Sequence, residues 1–247
     1  MIGQTLEDYC KKLRLSNIIT NIPRASFEAP EQFITDLFRL ELETRQQIKL
    51  ERMEKLAKFP VPKSLKNYEW HEDIFLPSHL DKETLVSLDF LKRQENIVCV
   101  GSPGTGKTHP AIASGRKARS EGISTKFFRV NNPVEQLESA LKKQQLASFK
   151  KRFETTELII LDEMGYLPLT KEGAELLFQL ISDWYEQKSI IITSNLEFSQ
   201  WNRVFMDSRL TAALVDRLIH HAHIIGFKGE SFRLKNSLLS VINKSQL

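Results

Sequence analysis

Residues 96–108 read Asn-Ile-Val-Cys-Val-Gly-Ser-Pro-Gly-Thr-Gly-Lys-Thr, an apolar run that ends in G-x-x-x-x-G-K-T. That spacing is the spacing of a phosphate-binding P-loop. Gly101, Gly104 and Gly106 let the backbone turn tightly and aim its N–H groups at an anion, with Ser102, Pro103 and Thr105 completing the turn. Lys107 reaches the β- and γ-phosphates of a nucleotide, and the Thr108 hydroxyl can sit on Mg²⁺. The helix expected next points its positive dipole end at the same phosphates. A chance glycine-rich turn is the alternative, and the strand-like residues 97–100 directly before the loop argue against it.

A second motif bears on hydrolysis. Residues 157–163 read Glu-Leu-Ile-Ile-Leu-Asp-Glu, a buried strand with two carboxylates at its C-terminal end. Ligands of open α/β sheets bind at that end. Asp162 would hold Mg²⁺ through its water shell, and Glu163 would act as general base toward an attacking water. A strand ending in solvated acids is the plainer alternative. A kinase would not need the adjacent Glu, because its nucleophile is a substrate hydroxyl. Residues 189–193 form a third apolar run, followed by Ser194 and Asn195. Asn195 can orient the lytic water or can be an ordinary turn residue.

The elements that must position these groups alternate. Strands are expected at 96–100, 125–130, 157–161, 189–193 and 222–227, with a helix at 107–120, helices over 134–153, a helix at 171–186 and helices over 198–219. Such alternation predicts an α/β fold, a five-stranded parallel sheet with helices on both faces. Residues 1–60 read as a small helical N-terminal region, with Phe33, Leu37, Leu40, Ile48 and Met53 marking the buried face of its longer helix. Pro60-Val61-Pro62 opens an expected linker with short extended pieces over 61–80, and 81–247 forms the P-loop domain. After Phe227 the chain has room for one more helix and encodes no full C-terminal lid.

Composition narrows the class. The chain has 247 residues, 41% of them hydrophobic, and a formal net charge of +4, which suits a nucleic-acid partner without requiring one. Its two cysteines, Cys10 and Cys99, give no disulfide framework. There is no run of eighteen apolar residues and no signal-peptide pattern, so a soluble, cytoplasmic protein with no membrane partner is expected.

Taken together, these segments resemble the IstB-like transposition helper ATPases, relatives of the DnaC helicase loaders within the AAA+ group. The resemblance rests on residues 101–109, Leu161-Asp162-Glu163-Met164-Gly165-Tyr166, Thr193-Ser194-Asn195-Leu196, Asp216-Arg217-Leu218-Ile219-His220-His221 and Gly229-Glu230-Ser231-Phe232-Arg233. Leu13-Arg14-Leu15, Glu41, Arg45 and Phe59 also fit such helpers. It implies an AAA+ core that binds and hydrolyses ATP with Mg²⁺. It also implies assembly as a ring or spiral homo-oligomer on double-stranded DNA and recruitment of a transposase subunit. Asn195 would be sensor I, Arg217 an arginine finger reaching a neighbouring subunit, and Arg233 sensor II in its own subunit. From position alone, Arg217 fits equally well as a cap for its helix's C-terminus. Arg209 is a lesser finger candidate. The alternatives are a DnaC-like loader of a replicative helicase and a nucleotide-dependent DNA scaffold with impaired hydrolysis.

Three further features need structure. Pro110 stands where relatives carry Leu; in a helix's first turn it is harmless, whereas one residue later it breaks a bond at about 3 kcal/mol and weakens the phosphate cradle. His220, His221 and His223 lack the spacing of a helical pair facing one ion and have no Cys or carboxylate cluster beside them, so they read as packing histidines rather than zinc ligands. Lys142, Lys143, Lys150, Lys151 and Arg152 crowd one helical stretch, either a DNA-phosphate surface or a solvated face.

Overall fold

The computed structural model describes residues 2–15, 17–25, 29–57, 59–66, 68–78, 80–232 and 234–235. The chain divides into two compact units, Met1–Lys55 and Leu56–Leu247. The first unit contains α1 (Ile2–Lys12), α2 (Ile18–Asn21) and most of α3 (Pro30–Ala57). Pro30 opens α3, where its missing N–H costs nothing. Cys10, Ile18 and Leu40 are buried. Asn21 Nδ2 donates to Thr44 Oγ1 at 3.1 Å, and Arg45 Nε donates to the buried Glu41 at 2.7 Å. The expected buried face of α3 is only partly realised. Leu40 is buried, Phe33 and Leu37 are half-buried, and Ile48 is 50% exposed. The Met53 side chain lies outside the described residues. Ile34, Phe38 and Leu42 are exposed as well, because α3 carries apolar residues around more of its circumference than two short helices can cover.

The second unit holds, in chain order, β1 (Ile74–Phe75), α4 (Lys82–Ser87), α5 (Asp89–Lys92), β2 (Asn96–Gly101), α6 (Thr108–Ser120), β3 (Thr125–Arg129), α7 (Asn131–Lys142) and α8 (Leu146–Lys151). After these come β4 (Leu158–Met164), α9 (Lys171–Trp184), β5 (Ser189–Ser194), α10 (Asn202–Phe205), α11 (Ser208–Ile219) and β6 (Ala222–Phe227). Among the described residues the sheet has six strands in the order β1-β6-β2-β5-β4-β3. Five are parallel; β1 joins β6 antiparallel at the edge. The sixth strand exceeds the expected five because two residues carry no readable period. It lies within residues 61–80, expected as a linker, yet Tyr68, Trp70, Ile74 and Leu76 pack against the core of this unit.

Strand residues alternate between two apolar layers. Val98, Ile159, Leu161, Ile190 and Ile192 face Leu137, Leu177, Trp184, Trp201 and Leu214 of the helices on one side. Ile97, Cys99, Leu158, Ile160 and Ile191 face Phe90, Ala111, Ile112 and Ala118 on the other. Both faces are covered, which is why the strands read as continuous apolar runs. Burial pushes the Cys99 thiol up to about 12. The stretches 134–153 and 198–219 each hold more than one helix, as expected. Gln144 at φ 56° separates α7 from α8, and Met206 at φ 53° separates α10 from α11, whose first N–H groups Asp207 caps. Among the described residues no helix is long and apolar enough to cross a membrane. The helix expected near the C-terminus lies mostly outside the described residues.

Pro110 is the third residue of α6. It stands in the first turn, where the N–H has no acceptor within the helix, so no bond is lost. Its ring is buried and lines a small apolar cavity with Leu65, Trp70, Ile97, Ala111 and Ile225. Replacing it by leucine frees the unfolded chain, at about 0.4–1 kcal/mol, and adds about one buried CH₂, near 0.8 kcal/mol. These oppose each other. Chemical denaturation of Pro110→Leu should therefore give a stability within about 1 kcal/mol of the parent; a gain of about 3 kcal/mol would mean that the proline breaks a helix bond.

Candidate nucleotide-binding site

Sequence-predicted residues from β2, β4 and β5 meet at the C-terminal end of the sheet. β5 lies between β2 and β4, so the chain after it passes between the P-loop and the acidic strand. The P-loop follows β2. Gly104 sits at φ +83°, and a Cβ there would lie 2.1 Å from Ser231 Oγ. Gly101 approaches β6 so closely that a Cβ would meet Phe227 O at 1.9 Å. Both positions exclude any side chain. Thr105 is fully buried and donates to Ser102 O at 2.8 Å, locking the turn; Ser102 and Pro103 are exposed. Lys107 is 8% exposed, and its Nζ donates to Gly101 O and Ser102 O at 2.6 Å each. A buried ammonium needs such acceptors, and these hold it over the loop.

Asp162 is 2% exposed. Its Oδ1 accepts from Thr108 Oγ1 at 2.9 Å and from Thr193 Oγ1 at 2.5 Å. Neither bond uses Oδ2. Thr193 Oγ1 in turn accepts from Glu163 N–H at 3.1 Å. One oxygen atom thus joins the first turn of α6 to β4 and β5.

The register explains how two adjacent carboxylates share the site. Leu161 pairs with Ile192 and Met164 with Ser194, so Asp162 and Glu163 together oppose Thr193. This is a β-bulge, and it breaks the alternation that would send the two side chains to opposite faces. Glu163 sits at φ 62°, a left-handed conformation costing roughly 1–3 kcal/mol outside glycine. Its carboxylate reaches the Arg129 guanidinium, Nε to Oε2, at 3.5 Å. Asn195 follows β5, and its Oδ1 is buried with no hydrogen-bond partner among the described residues. Such an orphaned acceptor awaits a donor.

The remaining predicted residues are placed as follows. Arg217, in the last turn of α11, donates to Ala213 O at 3.0 Å and lies 5.0 Å from the Phe178 ring centroid. Its guanidinium thus lies back along its own helix, on a carbonyl a turn before the last ones of α11. Arg233 lies outside the described residues, but its neighbour Phe232 donates its N–H to Gly104 O at 3.0 Å, so this segment adjoins the P-loop. Of the basic stretch, Lys150 is committed to Asp183 at 2.7 Å. Lys142, Lys143 and Lys151 are exposed. Arg152 lies over Phe149 and, with Lys143, lines a groove between α7 and α8.

Sequence reasoning missed three neighbours of the site. Thr193 stood within the Thr-Ser-Asn segment, but alternation alone cannot say that a bulge brings it to Asp162. Arg129 showed only as a basic residue ending a strand. Tyr68 gave no signal; it packs on His109 with centroids 4.8 Å apart, and burial raises its own pKa and lowers that of His109.

Thr193→Val keeps the shape but strips the hydroxyl that serves both Asp162 and Glu163. A melt should show a loss of about 1–3 kcal/mol, from Glu163 N–H left without its acceptor and Asp162 left with one hydroxyl donor, and nucleotide affinity should fall. Thr193→Ser should keep both properties near the parent. Equal stability of parent and valine variant would remove Thr193 from the site.

A family model described as IstB-like ATP binding protein matches residues 9–240. A protein of Bacillus thuringiensis subsp. berliner, named for insertion sequence IS232 and for ATP binding, is 35% identical over 234 residues, covering 93% of this chain and 92% of that protein. One from Geobacillus stearothermophilus, named for insertion sequence IS5376 and for ATP binding, is 34% identical over 242 residues, 96% of each. Among solved structures, AMPPCP-bound DnaA from Aquifex aeolicus aligns at TM-score 0.55 and 22% identity, over 70% of this chain and 52% of that one. A DnaC helicase loader aligns at TM-score 0.52 and 23% identity, over 67% and 96%. These two likenesses show the fold, that of the AAA+ group. With a family model spanning most of its length and relatives aligned almost end to end, the chain belongs to the IstB-like ATP-binding protein family.

Proposed function

We propose that this chain is an ATP-hydrolysing, DNA-binding helper of a transposase. The observation that carries the reading is the meeting of Lys107, Thr108, Asp162, Glu163 and Asn195 at one sheet end, in a chain whose relatives are named for insertion sequences. Thr108 Oγ1 and Asp162 offer the hard oxygen donors that suit Mg²⁺. Mg²⁺ bound there would offset phosphate charge. Lys107 would turn its ammonium from the loop carbonyls to the β- and γ-phosphates. Glu163 would take the proton of the attacking water, using Oε1 while Arg129 holds Oε2. The unpartnered Asn195 Oδ1 would accept a hydrogen bond from that water and fix its approach.

In the proposed homo-oligomer, a ring or spiral with nucleotide at subunit interfaces, Arg217 would leave Phe178 and reach the γ-phosphate of a neighbour. Arg233 would touch the nucleotide of its own subunit, as the contact of Phe232 with Gly104 supports. Lys142, Lys143, Lys151 and Arg152 would contact DNA phosphates without reading sequence; Lys150 is already paired. The helical N-terminal unit, with its exposed apolar residues on α3, would meet the transposase. The DnaC-like loader reading has a fold likeness at 23% identity behind it, below the 35% and 34% of the two insertion-sequence relatives. The scaffold reading rested on a damaged phosphate helix, and Pro110 stands in that helix's first turn.

The test has two arms. Glu163→Gln keeps Mg²⁺ binding but cannot accept the proton, so ATP turnover should fall while DNA-bound assemblies persist; turnover at the parental rate rules Glu163 out as the base. Neutralising Lys143, Lys151 and Arg152 together should weaken DNA binding evenly across sequences and reduce the log K against log salt slope by up to about 0.9 per lost contact. An unchanged slope moves the DNA surface elsewhere.

A further inference from the structure

The amino end of the sheet carries a second cluster, remote from the P-loop. His221 O accepts from Asn96 N at 2.7 Å, at the start of β2, whereas the P-loop leaves the other end of that strand. Five residue steps of strand, roughly 17 Å, separate the two ends. Here Glu186, His220 and His221 bring one ligand atom each to within 4.8 Å of one another. All three are exposed. Nothing in sequence joined them: Glu186 follows α9 and the histidines follow α11, and only the packing of those helices brings the carboxylate to the imidazoles.

We propose that Glu186, His220 and His221 form a site for a divalent transition metal of the Zn²⁺ class. Two imidazoles and one carboxylate, with a fourth position open to water, are a donor set that zinc takes in proteins. Ligand atoms about 2.0–2.1 Å from a tetrahedral ion lie roughly 3.4 Å apart, so modest side-chain rotation closes the present spacing. His221 Nε2 already stands 3.6 Å from Glu186 Oε1, and the two imidazole centroids are 4.2 Å apart.

Two further features favour a cation. His220 Nδ1 is 3.0 Å from Tyr185 Oη. With the proton on Nδ1 donated to the phenol, Nε2 presents its lone pair outward, the arrangement by which outer partners orient metal-binding imidazoles. In addition, Tyr185 and His220 are the C-terminal caps of α9 and α11, helices of 14 and 12 residues. Both helices therefore end at the cluster, and both carboxyl ends carry partial negative charge that attracts a cation. His223, in contrast, is held by Glu95 at 2.8 Å and takes no part.

The experiment is a calorimetric titration of the full-length, tag-free, chelator-treated chain with ZnCl₂. Excess Mg²⁺ is present to occupy the carboxylates of the nucleotide site. One Zn²⁺ should bind per chain. Glu186→Gln combined with His221→Gln should weaken binding by at least about tenfold, and Tyr185→Phe by about tenfold. Asp162→Asn should leave it unchanged. The Glu186 and His221 side chains are exposed, so the double variant should melt with the parent in EDTA. Co²⁺ added to the unmodified chain gives a reading free of variants, since a four-coordinate site yields intense visible absorption. Binding below one ion per chain, an affinity indifferent to the double variant, or a six-coordinate Co²⁺ spectrum would leave a histidine–glutamate ion pair only and overturn the proposal.

Discussion

The nucleotide site hangs on one buried carboxylate. Asp162 is almost wholly removed from water, and an ionised carboxylate there is costly unless donors surround it. Thr108 and Thr193 supply two, from the first turn of α6 and from β5. Removing either leaves the charge underserved, so loop, helix and two strands are bound to one geometry. The bulge follows from the same demand. Only by placing two residues opposite Thr193 can β4 present Asp162 to the hydroxyls and still turn Glu163 to the same end of the sheet. Its cost, a glutamate in left-handed conformation, is of the order borne at functional sites.

The sheet order makes this possible. With β5 between β2 and β4, a residue just past β5 is carried between the phosphate loop and the acidic strand. Asn195 arrives there with its carbonyl oxygen buried and unclaimed among the described residues. On the other side of the P-loop, β6 comes so near Gly101 that no side chain fits, and Ser231 does the same at Gly104. The cradle is therefore shaped from its own glycines and from segments more than a hundred residues later in the chain.

Much of this was legible in the sequence, for physical reasons. Lys107, Thr108, Asp162 and Glu163 stand at fixed offsets from long apolar runs, and such runs report parallel strands covered on both faces. The order of elements from β2 to β6 follows from that alternation. What escaped is set by tertiary contact. Thr193 and Arg129 gained meaning only through the bulge and the strand pairing. Residues 61–80 looked like a linker because their aromatic side chains are irregularly spaced, although Tyr68 and Trp70 pack on the core. Ile48 was assigned to a buried face that the short helices of its unit do not cover. Lys150 counted as a free cation until Asp183 appeared beside it.

The central claim is that Asp162, organised by two hydroxyls, makes the P-loop a site for nucleotide together with Mg²⁺. The most direct measurement is ATP affinity by fluorescent-nucleotide competition, with excess Mg²⁺ and with EDTA, for the parent and for Asp162→Asn. The account predicts tighter binding with Mg²⁺ in the parent and loss of that increment in the variant, with EDTA affinities nearly equal. The same Mg²⁺ increment in both proteins would contradict it.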